Sequence, residues 1–339
     1  MKRRLLGASC AAVAAMLTIG ATPAFADAGS NTNYLSVVTS ITPATAAVTA
    51  RVSGGDSFLE ITVGPGHVVV IDGYEREPYL QILADGTVQT NQKSPATYLN
   101  NDRYAATALP PDADAKAPPV WKTVATGGTY AWHSHLIHFM SPGLPETLKQ
   151  QGRESGFVQD WTIALTIDGV PSKISGTLNL LDAPSPIIPI IIVILAAGIG
   201  WIALRKWPIV PVGIVAGGLA IAVSVTEQGS VPKGTPTQTW VVVLGIVVVA
   251  FGALGILARK NVVLRSLCQL ACGAVSVMWA ITQFSVIRNA VLVSSINPAL
   301  ARIAIATCFG FGCALAIRAL PGLSPSLDDP SIDDHPLAA

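Results

Sequence analysis

The chain has 339 residues, of which 51% are hydrophobic and only 12% charged, with a net charge of +1 and a mean hydropathy of +0.53. A soluble globular protein carries about twice that charged fraction, so one water-soluble domain is excluded. Residues 27–186 hold 9 Lys and Arg against 15 Asp and Glu, a net of −6, which argues against nucleic acid as a partner, since that binding rests on basic side chains.

In chain order, Lys2, Arg3 and Arg4 precede an apolar run from Leu5 to Ile19, and Ala24-Phe25-Ala26 offers a small-x-small cleavage site. Residues 1–26 therefore read as a signal peptide, and the mature chain is expected to begin near Asp27. Cys10 lies inside the apolar run, where a lipoprotein anchor does not fit.

Residues 27–186 read as an all-β extracytoplasmic sandwich, Ig-like or cupredoxin-like. Short β-branched or aromatic runs are expected as strands at 36–41, 47–52, 58–63, 68–71, 80–83, 121–125, 129–133, 161–167 and 172–180. Turn signals separate many of them, among them Gly54-Gly55-Asp56, Gly64-Pro65-Gly66, Asp85-Gly86 and Asp168-Gly169. Residues 106–119 read as a long loop, and a short helix is expected near 146–151. The domain contains no cysteine, so its fold rests on a hydrophobic core.

Residues 187–320 read as an all-α transmembrane bundle of about five helices, at about 187–204, 208–226, 239–257, 264–284 and 299–317. Each is near the roughly 20 apolar residues that a hydrocarbon layer requires. Arg205, Lys206, Arg259, Lys260, Arg265 and Arg318 fall at one set of ends, and Lys233, Arg288 and Arg302 at the other. By the positive-inside rule the first set is cytoplasmic, which places the β-domain outside and the C-terminus inside a multi-pass cell-membrane protein embedded in lipid. No run has a central Asp, Glu, Lys or Arg, which argues against a pump. Gly213 and Gly217 have the spacing of close helix packing. Cys268 and Cys272 share a helix face and Cys313 is placed at a similar level; soft thiolates there suit Cu(I), but plain packing is the simpler reading. Residues 321–339 read as a disordered cytoplasmic tail, with His335 idle in it.

Chemistry concentrates in Trp132-His133-Ser134-His135-Leu136-Ile137-His138-Phe139-Met140. In an extended strand His133 and His135 point to one face, and His138 to the other unless the chain bends after His135. Pro142 and Gly143 indicate a turn soon afterwards, and a bend brings His138 or Met140 round to the pair. Imidazoles with a thioether suit a copper ion better than calcium or magnesium, with zinc the other candidate. His67, after a turn, is a further candidate ligand or simply a strand-end residue. A second patch, Tyr74, Glu77, Tyr79, Tyr98, Asn100, Asn101, Asp102, Arg103 and Tyr104, reads as a hydrogen-bonded loop or a binding surface.

Gly128-Thr129-Tyr130-Ala131-Trp132 is similar to the ligand-bearing strand of cupredoxins, and Thr129 to His135 looks like a histidine-pair segment of multicopper oxidases. Ser134 stands where a blue-copper site needs Cys, and the other oxidase segments are missing, so neither centre is expected. With Gly73-Tyr74, Glu77-Pro78-Tyr79-Leu80 and Ser94 to Asn100, the order of motifs resembles a family of exported actinobacterial membrane proteins associated with copper handling. That resemblance implies a copper role in acquisition, delivery or resistance, with other envelope copper-handling proteins as partners, and assigns no catalytic residues. The alternative is a non-metal envelope scaffold or interaction module. An enzyme is the least supported class, since HExxH, P-loop, GxSxG and dinucleotide motifs are all lacking.

Overall fold

The computed structural model describes residues 31–141, 143–206, 211–232 and 237–323. The expected signal peptide, Pro142, Lys233 and the tail beyond residue 323 lie outside the described residues.

Ten antiparallel strands form two sheets. They are β1 (Tyr34–Thr42), β2 (Val48–Ser53), β3 (Phe58–Val63), β4 (Val69–Asp72), β5 (Pro78–Ile82), β6 (Val88–Asn91), β7 (Trp121–Ala125), β8 (Thr129–Trp132), β9 (Gly156–Ile167) and β10 (Val170–Leu180). Seven pair in the order β1-β10-β9-β4-β5-β6-β7, and three in the order β2-β3-β8. The expected two-sheet domain is thus present, with β6 in addition. Alternation drives it: on β9, Trp161, Ile163, Leu165 and Ile167 are buried while Thr162 is exposed. These pack with Leu59, Ile61, Leu80, Ile82, Ile174 and Leu178 into one core. Asp168 and Gly169 both have positive φ, 51° and 80°, and join Ile167 to Val170 as a two-residue hairpin turn.

Two short helices, α1 (Ala96–Leu99) and α2 (Glu146–Gln150), decorate the sheets. Five helices long and apolar enough to cross a membrane follow. They are α3 (Ile187–Lys206), α4 (Val212–Ser230), α5 (Thr239–Leu257), α6 (Val262–Thr282) and, after the short α7 (Phe284–Arg288), α8 (Pro298–Ala319). Each matches an expected run to within a few residues. A Cβ on Gly217 would stand 2.8 Å from Val249 N, and one on Gly213 would stand 3.3 Å from Gly252 Cα, so both glycines let α4 and α5 approach closely, as their spacing indicates.

The β-domain also meets the bundle at α7 and the segment between α7 and α8. Thr32 N donates to Val291 O (3.0 Å) and Val291 N to Thr32 O (2.9 Å). Ala290 N donates to Asn33 Oδ1 (2.7 Å), Val293 N to Asn31 Oδ1 (3.0 Å), and Asn31 Nδ2 to Ser285 Oγ (3.0 Å). The first residues of the domain are therefore fixed to the bundle, as its last residues are through the chain itself.

Candidate metal centre

Strand β8 ends at Trp132, which pairs with Leu59 of β3. His133 and His135 therefore lie beyond the strand, not within it as the sequence pattern implied. The chain bends at once: Ile137 N donates to Ser134 O (3.2 Å), and Ile137 is fully buried in the core. That bend turns His138 back onto His133. Each of His133, His135 and His138 offers one ring nitrogen, and these lie within 4.8 Å of one another. Among the described residues this is the one group of three or more His, Cys, Asp or Glu side chains that converges so.

His133 Nε2 and His138 Nε2 stand 3.1 Å apart. Ring centroids are 4.7 Å apart for His133 and His138, 5.5 Å for His135 and His138, and 5.6 Å for His133 and His135. Backbone carbonyls set the outer nitrogens. His133 Nδ1 is 2.6 Å from Ser57 O, and His135 Nε2 is 2.9 Å from Asp102 O. A carbonyl only accepts, so both of those nitrogens carry hydrogen. In the neutral rings His133 Nε2 and His135 Nδ1 then hold the lone pairs. For His133, whose Nε2 faces His138, this is the usual outer hydrogen bonding of a histidine that ligates a metal.

Burial, with a contribution from the Arg103 guanidinium, pushes His133 down to about 4 and His138 down to about 3. Both rings are neutral at neutral pH, the state a ligand needs. His135 stacks on Tyr74, 5.4 Å between centroids and 10° between planes, and its backbone N–H donates to Tyr74 OH (3.0 Å). Tyr74 OH donates in turn to Asn100 Oδ1, and burial raises the Tyr74 hydroxyl to about 12.

The second sequence patch thus becomes a wall of the same site. Its loop supplies Asp102 O and Arg103, while Glu77 acts within the fold: its carboxylate is buried and accepts from Ser94 Oγ (2.5 Å) and Glu75 N (2.9 Å). Sequence reasoning missed both carbonyls, because a backbone acceptor has no signature in residue type.

Met140 is 40% exposed and lines one open pocket together with His135, His138, Asp160 and Trp161. The structure does not bring His67 into the converging group: its Nδ1 pairs with Asp168 Oδ2 (2.7 Å) beside the β9–β10 turn. Asp168 also accepts from Val68 N (2.8 Å), which makes His67 part of a turn anchor. In the bundle, Cys272 Sγ donates to Val248 O (3.4 Å) and Cys308 Sγ to Ala216 O (3.2 Å).

Family models, curated proteins and solved structures were all compared with the chain, and none matches.

Proposed function

We propose that this is a cell-envelope membrane protein whose outward-facing β-domain binds one copper ion through His133, His135 and His138, in copper acquisition, delivery or resistance. The convergence of three imidazoles on one point carries the reading. Metal–nitrogen bonds of about 2.0–2.1 Å place neighbouring ligand nitrogens roughly 3.3–3.6 Å apart, and His133 and His138 already stand at 3.1 Å. The neutral state of His133 and His138 and the carbonyl-set tautomers of His133 and His135 lower the cost of binding. Met140, at the mouth of the same pocket, adds a soft thioether on the solvent side that favours copper over zinc. Charge supports the outward orientation: the bundle end that meets the β-domain carries Arg288 and Arg302, and the opposite helix ends carry Arg205, Lys206, Arg259, Lys260, Arg265 and Arg318. Envelope copper-handling proteins are the partners this role calls for.

The test uses the full chain in detergent. One equivalent of Cu(I) under reductant, or of Cu(II), is added, the sample is dialysed, and bound metal is measured. Retention of about one equivalent that His133→Ala and His135→Ala abolish supports the reading, with nitrogen ligation in the Cu(II) EPR spectrum and no intense blue colour. Zinc retained in place of copper reassigns the ion, and no retention of either ends the proposal.

One observation favours the scaffold reading. His133 and His135 are already bonded to backbone carbonyls, and His133 to His138, so the rings stitch the turn before β3, the 100–105 loop and the segment after β8 without any ion. On that reading the alanine variants lose stability and there is no metal to lose.

A further inference from the structure

The two carbonyls that hold the imidazoles are neighbours of one buried ion pair. Ser57, whose carbonyl accepts from His133, follows Asp56; Asp102, whose carbonyl faces His135, precedes Arg103. Asp56 Oδ2 and Arg103 Nη2 are 2.5 Å apart, with the two side chains 0% and 11% exposed. The pair joins the turn between β2 and β3 to the loop after α1, two segments with no strand pairing between them. Asp56 sits in a turn also held by Asp56 N and Ser57 Oγ, which both donate to Gly54 O at 3.0 Å and 2.8 Å. Arg103 sits in a loop whose Asp102 carboxylate accepts from Tyr104 N (2.8 Å) and Ala106 N (2.9 Å). Each carbonyl is therefore rigid within its own segment, and the ion pair fixes one segment against the other.

We propose that the Asp56–Arg103 pair is the positioning element of the histidine centre: it sets the spacing of the Ser57 and Asp102 carbonyls and so selects the tautomers and ring directions of His133 and His135. The link to metal affinity rests on the proposed function; the link to the tautomers does not. A guanidinium suits this task because it stays charged when buried and is more weakly hydrated than an ammonium. Groups that orient metal-binding histidines from outside typically change affinity 10–100-fold when altered.

The experiment labels the five histidines with 15N in the full chain in detergent, without metal, and reads each ring's tautomer from its nitrogen shifts. His133→Asn and His135→Asn samples assign the signals. In the wild type the expected pattern is hydrogen on Nδ1 of His133 and on Nε2 of His135; any other pattern overturns the proposal. Asp56→Asn with Arg103→Gln removes both charges together, so that no lone charge stays buried. It is expected to mix the two tautomers and to weaken copper binding, measured by chelator competition, at least tenfold. Arg103→Lys keeps the charge and decides the matter if the double variant does not fold: its expected result is a mixed His135 tautomer and at least threefold weaker binding. Wild-type tautomers in the folded variants overturn the positioning role. A wild type that shows the expected tautomers, loses them in the variants and retains no copper leaves the positioning role standing and sinks the metal reading alone.

Discussion

In the β-domain three imidazoles point at one another, whereas in the helical bundle Cys272 and Cys308 each turn to a carbonyl on a neighbouring helix. Both regions hold soft donors in buried surroundings, and the difference is what the backbone leaves for them to do. A helix satisfies its own carbonyls except where a thiol adds a second bond, and the thiols there fill space between close-packed helices. The irregular segment after β8 has no such ladder. Its His133 and His135 rings each donate one hydrogen bond to a backbone carbonyl, and His138 Nε2 turns to His133 Nε2. Convergence, rather than donor type, separates a candidate site from packing.

The largest expected effect tests that contrast directly. His133→Ala combined with His138→Ala should lower copper retention at least a hundredfold, while Cys272→Ala with Cys308→Ala should leave it unchanged, both measured by metal analysis after dialysis. Equal losses in the two variants would erase the distinction.

Acidity should move the domain by a few kcal/mol. His133 and His138 titrate at about 4 and about 3 when folded, against an ordinary value of about 6.5 for the unfolded chain. Between about pH 6.5 and pH 4 the unfolded state binds more protons, so stability falls as pH falls through that window and is fully present above it. The slope expected is about 1.4 kcal/mol per pH unit for each ring. Denaturant midpoints followed by tryptophan fluorescence on metal-free protein at pH 7.5, 6 and 5 measure it, and the double His→Asn variant should flatten the curve.

A smaller effect probes the thiols as packing. A Cβ on Gly213 would lie 2.4 Å from Cys272 Sγ, so Gly213→Ala should destabilise the bundle by about 1–3 kcal/mol. Adding Cys272→Ala should recover part of that loss, because the two sites share one contact. Additive losses in thermal unfolding would count against a direct clash. Smallest of all, His67→Ala should leave thermal stability and metal retention nearly unchanged, because its contact with Asp168 is exposed.

Much of this was legible in residue order. Runs of β-branched and aromatic residues marked β3 and β7 to the residue, and continuous apolar runs with charged ends marked the five long helices. Strand β6, Val88-Gln89-Thr90-Asn91, escaped because it carries one aliphatic residue and exists through pairing with β5 and β7. The histidine motif was visible, yet its closure depends on the bend from Ser134 to Ile137 and on Ser57, 76 residues away from His133. The Asp56–Arg103 pair, 47 residues apart, could not be read from either neighbourhood. Long-range partners of this sort are set by which strands adjoin, and spacing along the chain does not encode that.

The double attachment of the β-domain bears on how a cargo would be handed over. Were the segment between Leu180 and Ile187 its only hinge, the domain would swing like a pendulum and meet other molecules at every angle. The five hydrogen bonds that join Asn31, Thr32 and Asn33 to α7 and to the segment between α7 and α8 moor it at a second point instead. The mouth beside Met140 is then held at one angle to the helical bundle, and on the proposed copper reading a recipient would meet it from one direction.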